Sequence, residues 1–171
     1  AGVSAITVSR LLREPASVSE PLAVRIREAV ERLGYVPNMM AGGLAAAKSR
    51  IVGVIVPSIR NAFFSSTVDT LAAELDARGL SVLDASTNYD PEREDKLLET
   101  ILAWNPAGLV LTGFAHGPRA AAILARVDIP VVEMWDIAGR PFDMAVGFDH
   151  FSVGRRAGEH LVKRGCRRVA V

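Results

Sequence analysis

Aromatic and polar residues directly follow four short apolar runs of the sequence, and together they could bind a small polyhydroxylated molecule. These candidate ligand-binding residues are Ser58, Asn61, Phe63, Phe64, Phe114, Trp135 and Asp149. Aromatic faces can stack on the apolar faces of a sugar-like ring, while amides and carboxylates bind its hydroxyls. The alternative is that Phe63 and Phe64 belong to the hydrophobic core and that the position of Trp135 is incidental.

Enzymatic chemistry has little support in the sequence. No glycine-rich dinucleotide motif, P-loop or G-x-S-x-G motif is found. The histidines His116, His150 and His160 lack metal-binding spacing, and the single Cys166 excludes a disulfide framework or a zinc site built on cysteines. His150 next to Asp149 is predicted to lie on a strand, where neighbouring side chains point to opposite faces. We therefore expect no enzyme, no catalytic residue, no cofactor and no metal.

The elements that must position the candidate ligand-binding residues alternate between strand and helix. Apolar runs predict strands at 51–57, 80–85, 108–112, 130–135, 145–148 and 168–171. Amphipathic helical patterns separate most of these runs, and such alternation favours an α/β fold with a doubly wound parallel sheet. The carboxyl ends of parallel strands meet at one edge of the sheet, where ligands bind.

The first 50 residues follow a different, all-helical pattern. Ser4 is predicted to cap a short helix that ends before Pro15, and Ser19 to cap a second helix that ends at Gly34. The Ala- and Gly-rich residues 39–47 would form a marginal helix at best.

The net charge of +1 conceals three blocks of opposite sign. Residues 1–50 carry seven Lys and Arg against four Glu, a net +3, and residues 51–150 carry seven against fourteen acidic residues, a net −7. Residues 151–171 carry six against one, a net +5. Opposed blocks indicate separate modules. No apolar run approaches the roughly 20 residues of a membrane span and no signal-peptide pattern is visible, so we expect a cytoplasmic chain without a membrane partner.

Several motifs resemble the LacI (LacI/GalR) family of transcriptional regulators. The run Ala1–Arg10, AGVSAITVSR, resembles the turn and recognition helix of the family's helix-turn-helix. Val18-Ser19 and the segments 33–38, 52–57 and 61–64 recur in the family's order and spacing. The segments 102–105, 130–133 and 145–149 are most similar to the gluconate-operon repressors within the family.

This resemblance implies a partial helix-turn-helix headpiece followed by a periplasmic-binding-protein-like doubly wound sheet. Residues 1–48 would be the DNA-binding domain, with a hinge helix at about 38–47. Residues 49–171 would be the effector-binding domain, with an N-terminal subdomain at about 49–150 and the start of a C-terminal subdomain at 151–171. We expect the first DNA-binding helix to precede Ala1 and most of the second subdomain to follow Val171.

The resemblance also assigns DNA-binding roles by position. In the headpiece the implied residues are Ser4, Ala5, Ile6, Thr7, Ser9, Arg10 and Ser19, and in the hinge Asn38, Ala41 and Leu44. Ala5 and Ile6 would meet thymine methyls, Arg10 is the best candidate for direct base readout, and Leu44 would wedge into the minor groove. Gly42 and Gly43, where many family members carry Arg and another residue, weaken a hinge helix by roughly 1 kcal/mol each. A plain flexible linker is the alternative.

The function that the resemblance implies is sequence-specific control of carbohydrate catabolism, most simply as a repressor. A homodimer would bind a near-palindromic operator in double-stranded DNA, and a small sugar or sugar acid such as gluconate would alter that binding. The alternative is a sugar-binding receptor or an enzyme on the same scaffold, since a fold alone does not decide function. The basic helical module at residues 1–50 favours the regulator.

Overall fold

The computed structural model describes residues 1–35 and 49–169 of the chain, which divides into two compact units, Ala1–Ser49 and Arg50–Val171. In the first unit, helix α1 (Ala5–Arg13) is followed by a 3₁₀ turn (Pro15–Ser17) and helix α2 (Glu20–Arg32). The predicted hinge at 38–47 lies outside the described residues.

The ends of α1 and α2 follow from local sequence. The Ser4 hydroxyl accepts a hydrogen bond from the Thr7 N–H at 3.2 Å and so caps α1. Helix α2 begins directly after Ser19, with Pro21 in its first turn, but the Ser19 side chain makes no capping hydrogen bond. Gly34, at φ +57°, adopts the left-handed conformation that ends the helix, as predicted.

A small core holds the first unit together. Leu11 on α1 packs with Ala23 and Ile26 on α2, and Ile26 is fully buried. Half-buried apolar residues surround these three: Val3, Val8, Val18, Leu22 and Val30. Burying one face of each helix against the other supplies the stability that helices of this length lack alone.

The second unit is an α/β sheet, as predicted. Its elements are β1 (Ile51–Val56), α3 (Ala62–Asp76), β2 (Ser81–Ser86), α4 (Pro91–Leu102), β3 (Gly108–Thr112), α5 (Pro118–Leu124), β4 (Val131–Asp136), β5 (Met144–Phe148) and α6 (His150–Lys163). The five strands are parallel in the order β2-β1-β3-β4-β5. In this order the chain changes direction across the sheet between β1 and β3, where a ligand-binding crevice opens in doubly wound folds.

Helices cover both faces of the central strands. On one face Val54 and Val56 pack with Phe64, Val68 and other residues of α3. On the opposite face Ile55 and Leu111 of the strands pack with Leu98 of α4 and residues of α5. Burial on both faces is why these strands read as continuous apolar runs and not as alternating ones.

The end of the chain differs most from the prediction. Residues 168 and 169, expected to begin a sixth strand, form no regular structure, and residues 170 and 171 lie outside the described part. Helix α6 begins at His150, so Asp149 and His150 lie at a helix start and not on a strand. No residue of α6 is buried. Among the described residues, no helix is both long and apolar enough to cross a membrane.

Candidate DNA-binding and effector sites

Helix α1 exposes one face and buries the other. Ala5, Ile6 and Arg10 are exposed, and the Ile6 side chain is 72% accessible, whereas Leu11 is 2% accessible in the core. Ile6 and Arg10 are four residues apart and therefore lie on the same side of the helix. Most of the Ile6 side chain lies outside the core of its own unit and is available to contact a partner.

Two of the predicted hydroxyl-bearing residues, Ser4 and Thr7, lie at the N-terminal end of α1. The Ser4 and Thr7 hydroxyls are hydrogen-bonded to each other at 3.0 Å, and Ser9 lies half-buried one turn beyond Ala5. Ser19 is exposed at the start of α2. The hinge residues Asn38, Ala41 and Leu44 lie outside the described residues, so their roles stay predictions.

In the second unit, three of the predicted aromatic residues form one cluster. The ring centroids of Phe63 and Trp135 are 4.0 Å apart, and those of Phe63 and Phe64 are 5.4 Å apart in an edge-to-face arrangement. Phe64 also meets Trp135 edge-to-face at 6.4 Å. Phe64 and Trp135 pack against the core on the α3 side of the sheet, while Phe63 is half exposed. Phe64 therefore belongs to the hydrophobic core, whereas Phe63 only partly does.

The backbone at Trp135 is strained. Its φ of +80° lies in the left-handed region that non-glycine residues rarely adopt. The neighbouring strand approaches this backbone closely, because a Cβ on Gly147 would lie 2.5 Å from the Trp135 carbonyl carbon. The His150 imidazole Nε2–H donates to the Trp135 carbonyl at 2.8 Å. Among the described residues, the buried indole Nε1–H of Trp135 has no hydrogen-bond partner.

Asp149 is engaged as the cap of α6. Its carboxylate accepts the Ser152 N–H at 3.0 Å and the Ser152 hydroxyl at 2.5 Å. These hydrogen bonds, with a smaller contribution from the charge of Arg155, hold the pKa of Asp149 below its ordinary value of 3.8. Asp149 is thus ionised and anchored beside His150, with which it forms no hydrogen bond in the described structure.

A cavity of about 430 Å³ opens where β1 and β2 end. It is lined by Ser58, Ile59, Arg60, Ser86, Asn88 and Tyr89. Asn88 and Tyr89 both have positive φ, which turns the chain sharply after β2. Asn61, predicted to bind ligand, caps α3 through its Oδ1, which accepts the Phe63 N–H at 3.0 Å. The sequence places Arg60 and Asn88 after predicted strand ends as well, whereas Ser86 and Tyr89 were not predicted to line a site.

Phe114 stands apart from the aromatic cluster. It lies in the loop between β3 and α5, and a Cβ on Gly139 would lie 2.8 Å from its ring. Gly139 belongs to the loop between β4 and β5, so this contact joins two loops at the same edge of the sheet. No ring contact between Phe114 and Phe63, Phe64 or Trp135 occurs in the described structure. The predicted residues therefore surround the strand ends without forming one continuous surface.

Comparison with known protein families identifies both units. The model "Periplasmic binding proteins and sugar binding domain of LacI family" matches residues 49–171, and the model "Bacterial regulatory proteins, lacI family" matches residues 1–38. The chain belongs to the LacI family.

Relatives within the LacI family are similar over nearly the whole chain. The HTH-type transcriptional regulator GntR of Escherichia coli K12 is 40% identical over 99% of this chain and 51% of its own length. GntR of Pseudomonas aeruginosa is 43% identical over 99% of this chain and 50% of its own. The chain spans about half the length of these relatives. They are named as regulators and not as enzymes, in agreement with the prediction that this chain is not an enzyme.

Solved LacI-family structures share the fold. A LacI-family transcriptional regulator from Silicibacter pomeroyi matches 98% of this chain and 50% of its own with a TM-score of 0.89 and 40% identity. The Lac repressor dimer bound to operator and the anti-inducer ONPF matches 95% of this chain and 49% of its own, with a TM-score of 0.74 and 27% identity. The predicted fold class is confirmed.

One polar cluster of this LacI-family chain was missed by sequence reasoning. The His116 side chain, 2% accessible, places Nδ1 at 2.7 Å from Glu94 Oε1 and Nε2 at 3.2 Å from Glu133 Oε1. The second oxygen of Glu133 accepts the Phe142 N–H at 2.7 Å. A glutamate inside the apolar strand Val131–Asp136 is the signal that could have indicated this cluster.

The electrostatics of the cluster favour a charged histidine. Burial alone would lower the pKa of His116, because it penalises the imidazolium. The hydrogen bonds and negative charges of Glu94, and then those of Glu133, outweigh burial and raise the pKa of His116 above its ordinary value of 6.5. No group of residues suited to hold a metal ion occurs within the described ranges.

Proposed function

We propose that the protein containing this chain is a DNA-binding transcriptional repressor of carbohydrate catabolism whose operator binding is controlled by a small sugar or sugar acid. The observation that carries the proposal is the exposed face of α1, where Ile6 and Arg10 stand beside each other on a unit of a regulatory-protein family. LacI-family membership and relatives named as transcriptional regulators support it.

Helix α1 would act as the recognition helix. Its N-terminal end would enter the major groove, with Ala5 and Ile6 against thymine methyls and Arg10 toward a guanine. The hydroxyls of Ser4, Thr7, Ser9 and Ser19 would bind phosphate oxygens and fix the register of the helix on DNA. By their place in the family, Asn38, Ala41 and Leu44 would contact the minor groove, with Leu44 as the wedge.

The two units would have separate binding functions. Residues 1–48 would bind DNA, and residues 49–171 would bind the effector. A homodimer would present two copies of α1 to the half-sites of a near-palindromic operator, because a two-fold protein matches a two-fold sequence. The similar Lac repressor structure is a dimer bound to operator, which supports this arrangement.

The effector would bind at the carboxyl ends of the strands, near Phe63 and the cavity lined by Ser58. We infer that Arg60 favours an anionic effector such as gluconate. Arg119, the other cation near a strand end, is paired with Glu99, whereas the guanidinium of Arg60 has no hydrogen bond or ion pair within the described structure. A guanidinium that lines a cavity and has no protein partner there is suited to bind the carboxylate of a ligand.

A sugar-binding receptor or an enzyme on the same scaffold is the second candidate. It would share the strand-end site but would have no use for the exposed face of α1. DNA binding therefore separates the two candidates, while effector binding alone does not.

Fluorescence anisotropy of the full-length protein on labelled DNA from the region upstream of its own gene tests the proposal. We expect tight, salt-sensitive binding to a palindrome and release on addition of gluconate. Gluconate binding without retention of DNA at low salt would favour the receptor. Equal affinity for the palindrome and for scrambled DNA would contradict sequence-specific control.

A further inference from the structure

Both ring nitrogens of His116 face carboxylate oxygens, and this decides the proton count of the cluster. A carboxylate only accepts hydrogen bonds, and a neutral imidazole has one N–H and one acceptor nitrogen. With a neutral ring, one of the contacts to Glu94 and Glu133 would oppose a lone pair to a carboxylate. With both glutamates ionised, both contacts become hydrogen bonds only when His116 is an imidazolium.

The same cluster ties together four segments that are distant in sequence. Glu94 belongs to α4, His116 to the β3–α5 loop and Glu133 to β4, and the Phe142 N–H that binds Glu133 belongs to the β4–β5 loop. The ring of Phe142 also lies beside that of His116, with centroids 6.0 Å apart. The cluster therefore links the β3–α5 loop at the ligand edge of the sheet to the end of the β4–β5 loop, where the neighbouring Asp143 binds the first residue of β4.

We propose that His116, as an imidazolium held between Glu94 and Glu133, is a positioning residue for the effector site. It would fix the β3–α5 loop, which presents Phe114 two residues away, against the β4–β5 loop that contacts the Phe114 ring through Gly139. The inference rests on the proposed effector site. It adds that the position of the β3–α5 loop at this site depends on pH through the protonation of His116. Deprotonation removes one of two hydrogen bonds and leaves two buried carboxylates uncompensated.

Other charged groups on the packed elements do not replace His116. On α4, Asp95 lies next to Glu94, and its buried Oδ1 has no hydrogen-bond partner in the described structure. Arg119 at the start of α5 is paired with Glu99 of α4. The strand β4 contributes Glu133, and the carboxylate of Asp136 accepts backbone N–H groups at its end. None of these neighbours offers a free cation that could take the place of the His116 ring between Glu94 and Glu133.

Nitrogen-15 NMR of the His116 ring in the full-length protein tests the protonation state without any effector. We expect both nitrogens to stay protonated up to a midpoint above pH 6.5. A midpoint at or below 6.5, or one unprotonated nitrogen throughout because a glutamate holds the proton, would overturn the proposal.

Calorimetry with gluconate as the probe tests positioning. From about pH 6 to about pH 9, a range over which gluconate stays ionised, we expect affinity to fall roughly fivefold or more. His116→Gln should bind weakly and without this pH dependence. His160→Gln is the matched control, because His160 is exposed on α6 and should leave the wild-type profile unchanged. A wild-type affinity independent of pH would overturn the proposal.

Because His116→Gln leaves two buried carboxylates and could unfold, a second variant carries His116→Gln, Glu94→Gln and Glu133→Gln together. This uncharged set can remain hydrogen-bonded, and we expect it to fold and to bind gluconate with a flat pH profile. A pH dependence equal to that of the wild type would place the titrating group elsewhere.

Hydrogen exchange separates failure of this inference from failure of the proposed function. If gluconate does not bind at any pH, the assigned effector is wrong, but the loop can still be followed. Protection factors corrected for intrinsic exchange should fall for the amides of His116 and Phe142 as the pH rises through the His116 midpoint. Unchanged protection there would overturn the positioning role itself.

Discussion

The ring of Phe63 stacks on that of Trp135, with centroids 4.0 Å apart and planes inclined by 35°. Phe63 comes from the first turn of α3 and Trp135 from the end of β4, so the pair spans two strand-end segments. Half of the Phe63 side chain remains exposed. A sugar ring can stack on the exposed face of Phe63, or it can displace Phe63 and stack on Trp135. In either case the contact between Phe63 and Trp135 takes part in binding.

Phe63→Ala should weaken gluconate binding by roughly tenfold, because it removes one stacking face. Calorimetry of the full-length protein with gluconate measures this affinity. Tyr35→Ala, which removes an exposed aromatic ring in the other unit, should leave affinity unchanged. Wild-type affinity in Phe63→Ala would remove Phe63 from the effector site.

Arg60→Met should reduce gluconate affinity by roughly tenfold to a hundredfold, because a hydrogen bond to a charged group is lost. Arg119→Met is the matched comparison and should have little effect, since Arg119 is paired with Glu99. Calorimetry with gluconate and with the uncharged sugar alcohol sorbitol measures the preference for the acid. The assignment fails if Arg60→Met loses affinity for both ligands equally.

Arg10→Ala should cost about 1–3 kcal/mol of operator binding and relax specificity at one base pair. Anisotropy at several salt concentrations separates this from a phosphate contact, whose loss would lower the salt slope by about 1 without changing specificity. Arg126→Ala, an exposed arginine of the second unit, controls for general loss of positive charge. A reduced slope with unchanged specificity would assign Arg10 to the backbone.

The free energy of unfolding should depend on pH through His116. Its pKa is higher in the folded state than the unfolded value of 6.5, so its contribution is fully present below pH 6.5. That contribution is lost as the pH rises through the folded-state pKa. Urea unfolding at a series of pH values measures the decline, which the triple glutamine variant should lack. A stability that rises across the same range would contradict a protonated His116.

Much of this fold is readable from the sequence because its signals are local. Continuous apolar runs bounded by turns predicted both ends of each strand from β1 to β5 to within one residue. Gly34 predicted the end of α2. Residues 168 and 169 of the expected sixth strand are exposed and form no strand, because propensity alone does not form a strand without packing partners.

The site was less predictable, because contacts between distant segments decide it. Their position after predicted strands indicated Phe63 and Trp135 as site residues. It could not reveal that side-chain oxygens of Asn61 and Asp149 accept hydrogen bonds as helix caps. Nor could it reveal the positive φ of Trp135 or the close approach of Gly147 in the next strand to its backbone. The His116 cluster needs α4, β4 and two loops in place before its charges meet.

The pairing of one imidazolium with two buried carboxylates constrains how such a chain can change over time. Removing one partner of a buried ionic group costs about 3–5 kcal/mol, a large part of the stability of an ordinary domain. Glu94, His116 and Glu133 cannot easily be lost one by one, whereas replacing all of them with uncharged side chains carries no such cost. We therefore expect these three positions to covary among related sequences, with all three residues either kept or replaced together.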